Sequence, residues 1–242
     1  MTMILAAHLG EYILIASDRR AMACDLQTGK MQISHDNEIK IKLWHKGAIA
    51  GSGEKVFLDR VTKHFEKAEA PPTQLNLIHT IYNELQIRIN EGVPKDCLMN
   101  NSVIFSLFNG IETYLYSIQI DQFFQILIEN GNEVIQPKIN IIEPSDVDVA
   151  CFNIPPDMSI LQNFQQNLKS RTEFKDDMQF LAYYINELKK IFAHQASIDP
   201  SITASFNVFF QSCTTGESIA LYINDPLLEG SVTQDLNYWN RF

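Results

Sequence analysis

Residues 2–20 read Thr2-Met3-Ile4-Leu5-Ala6-Ala7-His8-Leu9-Gly10-Glu11-Tyr12-Ile13-Leu14-Ile15-Ala16-Ser17-Asp18-Arg19-Arg20. Two apolar runs rich in strand-forming residues flank the pair Gly10-Glu11, which has the composition of a tight turn. The stretch therefore predicts an antiparallel hairpin at the start of the fold. Asp18 follows Thr2 by sixteen residues, an even spacing across one turn, so we expect both residues at the same end of the hairpin.

The rest of the chain alternates between strand and helix patterns. It predicts strands at residues 39–44, 48–53, 103–108, 113–120, 123–128, 206–211 and 218–223, and helices from residue 52 to the prolines at 71 and 72, at 75–89 and at 175–194. This order predicts an α+β domain in which two antiparallel sheets lie between helical layers. No linker composition divides the chain, so residues 1–242 are expected to form one domain.

Three parts of the chain carry weaker patterns. Residues 143–156 contain three prolines and are expected to be irregular. Asn130 and Gly131 predict a turn after the strand at 123–128. Residues 225–242 are expected to be a docked loop.

Composition excludes several classes of function. The net charge of -10 and pI of about 5.0 make nucleic acid an unfavourable partner, because the protein's field repels phosphates. Residues 1–8 lack a basic flank and charges follow soon after, so neither a signal peptide nor a membrane-spanning helix is expected, and a cytoplasmic location is predicted. Four scattered cysteines predict reduced thiols, and six histidines without paired ligand spacing predict no metal site.

The start of the chain has the composition of a self-contained nucleophile. If Met1 is removed, Thr2 carries a hydroxyl and an α-amine whose unperturbed pKa of about 7.7 to 8.0 leaves it partly neutral. The amine then serves as base for the hydroxyl. Asp18 and Lys40 are expected to converge on it, the lysine stabilising the alkoxide and the carboxylate orienting the lysine. Gly51 lets a backbone N–H approach an oxyanion because it has no Cβ.

These residues resemble the proteasome β-subunit family, including its bacterial proteasome-like peptidases. The family pattern is an N-terminal Thr, then Asp-x-Arg-Ala sixteen residues on, then Lys-Ile, then Ala-Gly-Gly before a helix. Here Thr2, the run from Asp18 to Ala21, Lys40-Ile41 and Ala50-Gly51 resemble it over roughly the first 70 residues. The resemblance implies the four-layer αββα order of the N-terminal-nucleophile hydrolases.

The same resemblance implies a role for each matching residue. Thr2 is the nucleophile, Asp18 and Lys40 are the charged pair, with Lys42 as the fallback lysine, and Gly51 is the oxyanion donor. Asp199 matches an aspartate that steadies the terminal amine. Its serine partner falls on Ile202, so Ser201 or Thr203 would have to substitute. A Gly-Ser-Gly segment that the family carries is missing near residues 151–156.

The resemblance also implies the substrate and the assembly. Ala21, Ile49 and Gly53 are expected near the substrate side chain that precedes the scissile bond, and Ile49 favours a small or apolar side chain there. The substrate is expected to be a peptide or unfolded protein, cleaved without a cofactor. A homo-oligomeric ring, with an ATP-dependent unfoldase as a possible partner, is the expected assembly.

Two other functions are compatible with the sequence. One is a catalytically weak or silent ring protein that serves as a scaffold or assembly factor, which the missing Gly-Ser-Gly segment favours. The other is an amidase that uses the same Thr2 nucleophile on small substrates. The retained Thr2, Asp18 and Lys40 favour an enzyme over a scaffold, because a structural hairpin does not need all three.

Overall fold

The structure, a computed structural model, describes residues 2–24, 30–67, 73–125, 127–129, 132–134, 137–151, 154–224 and 237–241. The strands are β1 Met3–His8, β2 Tyr12–Asp18, β3 Ala21–Cys24, β4 Met31–His35, β5 Ile41–Trp44, β6 Gly47–Ser52, β7 Ser102–Phe108, β8 Thr113–Gln119, β9 Leu127–Glu129, β10 Asn132–Val134, β11 Asn140–Ile141, β12 Val147–Cys151, β13 Phe206–Ser212, β14 Ser218–Ile223 and β15 Asn237–Arg241. The helices are α1 Lys55–Lys67, α2 Gln74–Asn90, α3 Lys95–Met99, α4 Met158–Gln166 and α5 Asp177–Ile198.

Two larger antiparallel sheets dominate the fold. One has six strands in the order β12-β1-β2-β13-β14-β15, and the other has five in the order β11-β8-β7-β6-β5. The predicted hairpin is the β1–β2 pair, in register from Ile4 opposite Ser17 to His8 opposite Ile13. The α+β class predicted from the sequence is therefore confirmed.

Alternation along β1 divides its side chains between two cores. Met3 and Leu5 are fully buried in a cluster with Phe180, Tyr184 and other residues of α4, α5 and the six-stranded sheet. Burying each large apolar side chain of this kind contributes about 1.5 to 3 kcal/mol relative to leaving it exposed. The helices α4 and α5 thus pack on this sheet.

The even-numbered residues of β1, whose side chains lie on the other face of the strand, pack in a different cluster. Ile4 and Ala6 of β1 pack with Ala48, Ala50 and Ile104 of the five-stranded sheet. Further residues of the five-stranded sheet join Phe57, Val61 and Phe65 of α1, the stripe predicted from helical spacing, and residues of α2 in a third cluster.

The structure corrects three of the sequence predictions, and others fall on residues outside those that it describes. Residues 143–156 are not all irregular, because β12 pairs with β1 as an edge strand. Residues 120–124 form a 3-10 helix where the strand 123–128 was expected to begin. Residues 237–241 form a strand against β14 instead of a loop. The turn at residues 130 and 131, the prolines at 71 and 72 and residues 225–236 lie outside the described residues.

A buried polar bridge joins the two sheets at the end where β5 turns into β6. Gln211 of β13, 2% exposed, accepts a hydrogen bond from Ser106 Oγ at 2.8 Å. Its amide nitrogen donates to the carbonyl oxygens of Lys46 and Gly216 at 3.2 and 3.0 Å. Three polar atoms, the Ser106 hydroxyl and the carbonyl oxygens of Lys46 and Gly216, therefore share this one side chain as a partner.

We expect Gln211→Ala to lower the free energy of unfolding by about 1 to 3 kcal/mol, because it leaves the fully buried Ser106 hydroxyl without its acceptor, and an unpaired buried polar group costs about that much. Urea unfolding measures the loss. The matched control is Gln32→Ala on β4, whose side chain is exposed and whose loss should stay within about 0.5 kcal/mol. Equal losses in the two variants would contradict the bridge.

Among the described residues, none of the helices has the length and apolarity that a membrane-spanning segment needs. The cytoplasmic location stays a prediction.

Candidate active site

A buried ion pair lies at the end of the β1–β2 hairpin. Asp18 is 0% exposed, and its Oδ1 lies 2.7 Å from Lys40 Nζ. The same oxygen accepts a hydrogen bond from the backbone N–H of Met3 at 2.9 Å, and Oδ2 accepts one from the N–H of Arg20 at 2.9 Å. The carboxylate therefore has three donors, which compensates for removing its charge from water.

Lys40, not Lys42, reaches the carboxylate. Lys40 immediately precedes β5 and its side chain is 8% exposed, whereas Lys42 lies within β5 opposite Ile49. Burial lowers the pKa of Lys40 from its ordinary value, and the Asp18 charge and hydrogen bond oppose that shift. The structure thus brings together the pair that the sequence preferred and leaves the fallback lysine outside it.

Thr2 directly precedes β1 and is 5% exposed. Its carbonyl oxygen accepts a hydrogen bond from Ser52 Oγ at 3.1 Å. The next residue, Met3, is the one whose N–H donates to Asp18. Thr2 is thereby placed one peptide unit from the ion pair. The sequence did not single out Ser52, although Ala48, Ala50 and Ser52 alternate onto one face of the strand.

Gly51 and Gly53 are tightly enclosed, each by a different neighbour. Gly51 pairs with Val103 in the sheet, and a Cβ on it would lie 2.4 Å from Leu58 Cδ2 of α1. Gly53 has φ +134°, and a Cβ there would lie 1.8 Å from Asn101 Oδ1. Glycine is therefore required at Gly53 by conformation and by space. The role of Gly51 as oxyanion donor stays a prediction.

Asp199 directly follows the last residue of α5. It is 1% exposed, and its Oδ1 accepts hydrogen bonds from the N–H and Oγ of Ser201 at 2.8 and 2.6 Å. Its Oδ2 accepts from the N–H of Ile154 at 3.3 Å. Thr203 Oγ1 instead accepts from the N–H of Arg19 at 3.0 Å. Of the two candidates for the partner of Asp199, the structure selects Ser201.

The thiol of Cys151 lies close enough to both Asp18 and Asp199 for each charge to shift its pKa. Cys151 ends β12 and lies opposite Met3 in the ladder. Burial, followed by the charges of Asp18 and Asp199, raises the pKa of the thiol to about 12. The thiol is therefore protonated at neutral pH and is not a nucleophile. Both carboxylates act on this one group, which places Asp199 in the same region as Asp18.

The Arg20 side chain links the surroundings of Asp18 and Asp199 to the residue that follows the β3–β4 hairpin. Its guanidinium makes a bidentate pair with Asp36, Nε and Nη2 each at 2.7 Å. Its Nη1 donates to the carbonyl of Pro200 at 2.6 Å, next to Asp199. The hydrogen bond to Asp36 raises the pKa of Arg20, so this side chain acts as a permanent structural cation.

The residues expected near the substrate occupy different surroundings. Ala21 begins β3, is half-buried and lies opposite His35. Ile49 is fully buried in the cluster with α1 and α2. Their contact with a substrate stays a prediction, as does that of Gly53. Residues 152 and 153, in the region that lacks the family's Gly-Ser-Gly segment, lie outside the described residues. Where the structure describes the chain, no three His, Cys, Asp or Glu side chains are grouped as metal ligands.

Among the solved structures that are similar to this chain, two match it across most of its length. The Gly-1 mutant of Anbu from Hyphomicrobium sp. strain MC1 has 13% sequence identity and a TM-score of 0.59, covering 93% of this chain and 88% of that one. BPH from Thiobacillus denitrificans, in complex with epoxomicin, has 11% identity and a TM-score of 0.53, covering 88% of this chain and 99% of that one. No protein-family model and no curated protein sequence matches. At these identities the likeness shows the fold alone: the chain has a proteasome-like fold.

Proposed function

We propose that this chain is a proteasome-like threonine peptidase whose nucleophile is Thr2. The observation that carries the proposal is the buried Asp18–Lys40 pair, 2.7 Å apart, with the Thr2–Met3 peptide hydrogen-bonded to its carboxylate. A buried ion pair is weak evidence for stability by itself, because desolvation offsets its attraction. Its position beside a residue that has both a hydroxyl and a potential α-amine favours a chemical role.

The proposed reaction begins once Thr2 is the first residue. Its Oγ1 attacks the peptide carbonyl carbon while the α-amine takes the hydroxyl proton, directly or through water. The C–N bond then breaks, the proton passes to the leaving amine, and an ester to Thr2 remains. Water hydrolyses this ester and restores the hydroxyl. The Lys40 ammonium stabilises the alkoxide, and the N–H of Gly51 donates to the developing oxyanion.

The proposal includes the architecture and the assembly. The three core clusters support a single αββα domain, with α4 and α5 on the six-stranded sheet and α1 and α2 on the five-stranded one. We infer a homo-oligomeric ring acting on peptides or unfolded protein, and an ATP-dependent unfoldase is a candidate partner. Both inferences follow from the likeness to the proteasome β-subunit family and await their own tests by sedimentation and pull-down.

One observation favours the silent scaffold as a second candidate. Thr2 is only 5% exposed in the chain that retains Met1, and a peptide bond can reach its hydroxyl only once removal of Met1, or movement of the neighbouring residues, opens the site. The scaffold function needs no such opening. A single labelling experiment separates the two candidates.

The experiment measures the intact mass of the purified protein before and after incubation with a peptide epoxyketone. This electrophile forms a stable ring adduct only with a terminal hydroxyl and its adjacent free amine. We expect a mass that begins at Thr2 and one adduct per chain, mapped to Thr2 by fragmentation. Epoxomicin, the ligand of the similar BPH structure, serves as a second probe.

The exposed thiol of Cys97 is the internal control, because a non-specific electrophile would modify it first. A chain that retains Met1, or a free Thr2 that stays unlabelled by both compounds, would favour the scaffold. If Thr2 is labelled, casein and small acyl-amides are then compared as substrates. Cleavage of the amides alone would indicate the amidase.

A further inference from the structure

The peptide unit that follows Thr2 is held from both sides. Its carbonyl oxygen, on Thr2, accepts from Ser52 Oγ at 3.1 Å. Its N–H, on Met3, donates to Asp18 Oδ1 at 2.9 Å. A peptide unit is planar, so two opposed hydrogen bonds fix its rotation about the chain axis. The first backbone torsion that connects this plane to the Thr2 side chain is thereby restricted.

Ser52 holds this peptide across the two sheets. It is the last residue of β6 in the five-stranded sheet and is 1% exposed, whereas Thr2 precedes β1 of the six-stranded sheet. Its hydroxyl has a single proton to donate, and that proton is directed at the Thr2 carbonyl. The anchor acts on the carbonyl side of Thr2, so it does not depend on the α-amine.

We propose that Ser52 is a positioning residue that fixes the Thr2 nucleophile relative to the oxyanion donor of β6. This inference rests on the proposed function. Ser52 directly follows Gly51, the proposed oxyanion donor, so one hydrogen bond couples the nucleophile to that backbone. Any small displacement of β6 then moves Thr2 and the N–H of Gly51 together. The Ala-Gly-Gly pattern quoted for the family has glycine where this chain has Ser52, so that pattern does not itself include the hydroxyl.

A purely structural role makes a different prediction. If Ser52 only helps the two sheets to pack, its loss should lower stability and leave the chemistry of the folded protein unchanged. If it positions Thr2, the folded protein should react more slowly at saturating electrophile. Misplacing a reacting group by about 1 Å costs up to about 10²-fold in rate, and the remaining bond to Asp18 limits the displacement here.

The test compares Ser52→Ala with Ser52→Thr, which restores the hydroxyl. The matched control is Ser102→Ala, because Ser102 lies opposite Ser52 in the ladder, is 4% exposed and makes no side-chain hydrogen bond with the described residues. We expect Ser52→Ala to lower the maximal rate of epoxyketone labelling about tenfold, with half-saturation changed by less than about twofold. Ser52→Thr should recover most of the rate, and Ser102→Ala should label as the wild type does.

A second measurement does not depend on activity. Hydrogen exchange at the Met3 amide, followed by NMR of protein labelled with ¹⁵N-methionine, reports whether the Thr2–Met3 peptide is held. Ser52→Ala should accelerate this exchange about tenfold or more, and Ser102→Ala should not. If the alanine variant does not fold, Ser52→Cys keeps the volume with a weak donor and should show the same changes in smaller degree.

The outcomes separate this inference from the proposed function. A wild-type chain that is never labelled contradicts the peptidase, and the Met3 exchange then decides whether Ser52 holds the peptide at all. A labelled wild type with Ser52→Ala at the same rate overturns the positioning role while the peptidase stands. A loss of rate equal in Ser52→Ala and Ser102→Ala would also overturn it.

Discussion

Replacing Thr2 with alanine is expected to abolish the epoxyketone adduct and to lower peptide hydrolysis by roughly 10³-fold or more, the scale on which loss of a nucleophile acts. The reason is that alanine has no hydroxyl to form the acyl ester. The fold should remain. Among the described residues, the structure shows no hydrogen bond from the Thr2 side chain, and the Ser52 bond is made to its backbone. We expect the free energy of unfolding to fall by about 1 kcal/mol or less.

Thr2→Ser is the control for the chemistry. It keeps the hydroxyl and the α-amine and loses only a methyl group, so it should still form an adduct. Hydrolysis is followed with casein and with a fluorogenic peptide, and both variants are checked for the same oligomeric state. Alanine and wild-type proteins that hydrolyse at equal rates would show that Thr2 is not the nucleophile.

The hairpin and the main helices were predictable from local patterns. Two apolar runs around Gly10-Glu11 specify a strand pair whatever the rest of the chain does, and the period-two alternation fixes which residues share a face. The stripe of Phe57, Val61 and Phe65 specifies the buried side of α1 in the same way. These elements can be predicted from their own residues because each buries one face, and the apolar side chains on that face recur at a regular spacing along the sequence.

The strands that were missed depend on distant partners. Residues 147–151 form β12 because they pair with the edge of β1 that β2 leaves free. The three prolines in residues 143–156 made this five-residue strand hard to predict from the sequence. Residues 237–241 pair with β14 in a register that shifts between Ala220 and Leu221, so no simple alternation marks them. Whether such a segment forms a strand depends on its tertiary neighbours, and the local propensity of its residues does not reveal them.

The candidate site was predictable in part. The residue pattern, together with the resemblance, pointed to Thr2, Asp18 and Lys40, and the structure joins Asp18 to Lys40 across a stretch that includes the exposed β4 strand. Ser52 was missed because a serine between two glycines is typical of a turn. The hydrogen bond from Ser52 to the Thr2 carbonyl joins residues 50 positions apart in the sequence, so it forms only when the five-stranded sheet lies against Thr2.

Breaking the ion pair from one side is the second large effect. We expect Lys40→Met to lower the free energy of unfolding by about 3 to 5 kcal/mol, because it leaves the fully buried Asp18 carboxylate without its ion-pair partner. Denaturant unfolding measures the loss. The matched control is Lys55→Met, which breaks a pair with Glu38 of the same 2.7 Å length whose lysine is 59% exposed. That variant should lose no more than about 1 kcal/mol. Equal losses would contradict a buried, mutually dependent pair.

Removing both charges separates folding from chemistry. Lys40→Met combined with Asp18→Asn carries neither charge of the buried pair, so its stability should recover by about 1 to 3 kcal/mol relative to Lys40→Met alone. Recovery is incomplete because the asparagine has one acceptor oxygen where the carboxylate used two, for the N–H groups of Met3 and Arg20. Labelling of Thr2 should nevertheless be lost in this variant, since no ammonium at position 40 remains to stabilise the alkoxide. A double variant that folds and labels at the wild-type rate would mean that Asp18 and Lys40 serve the fold alone.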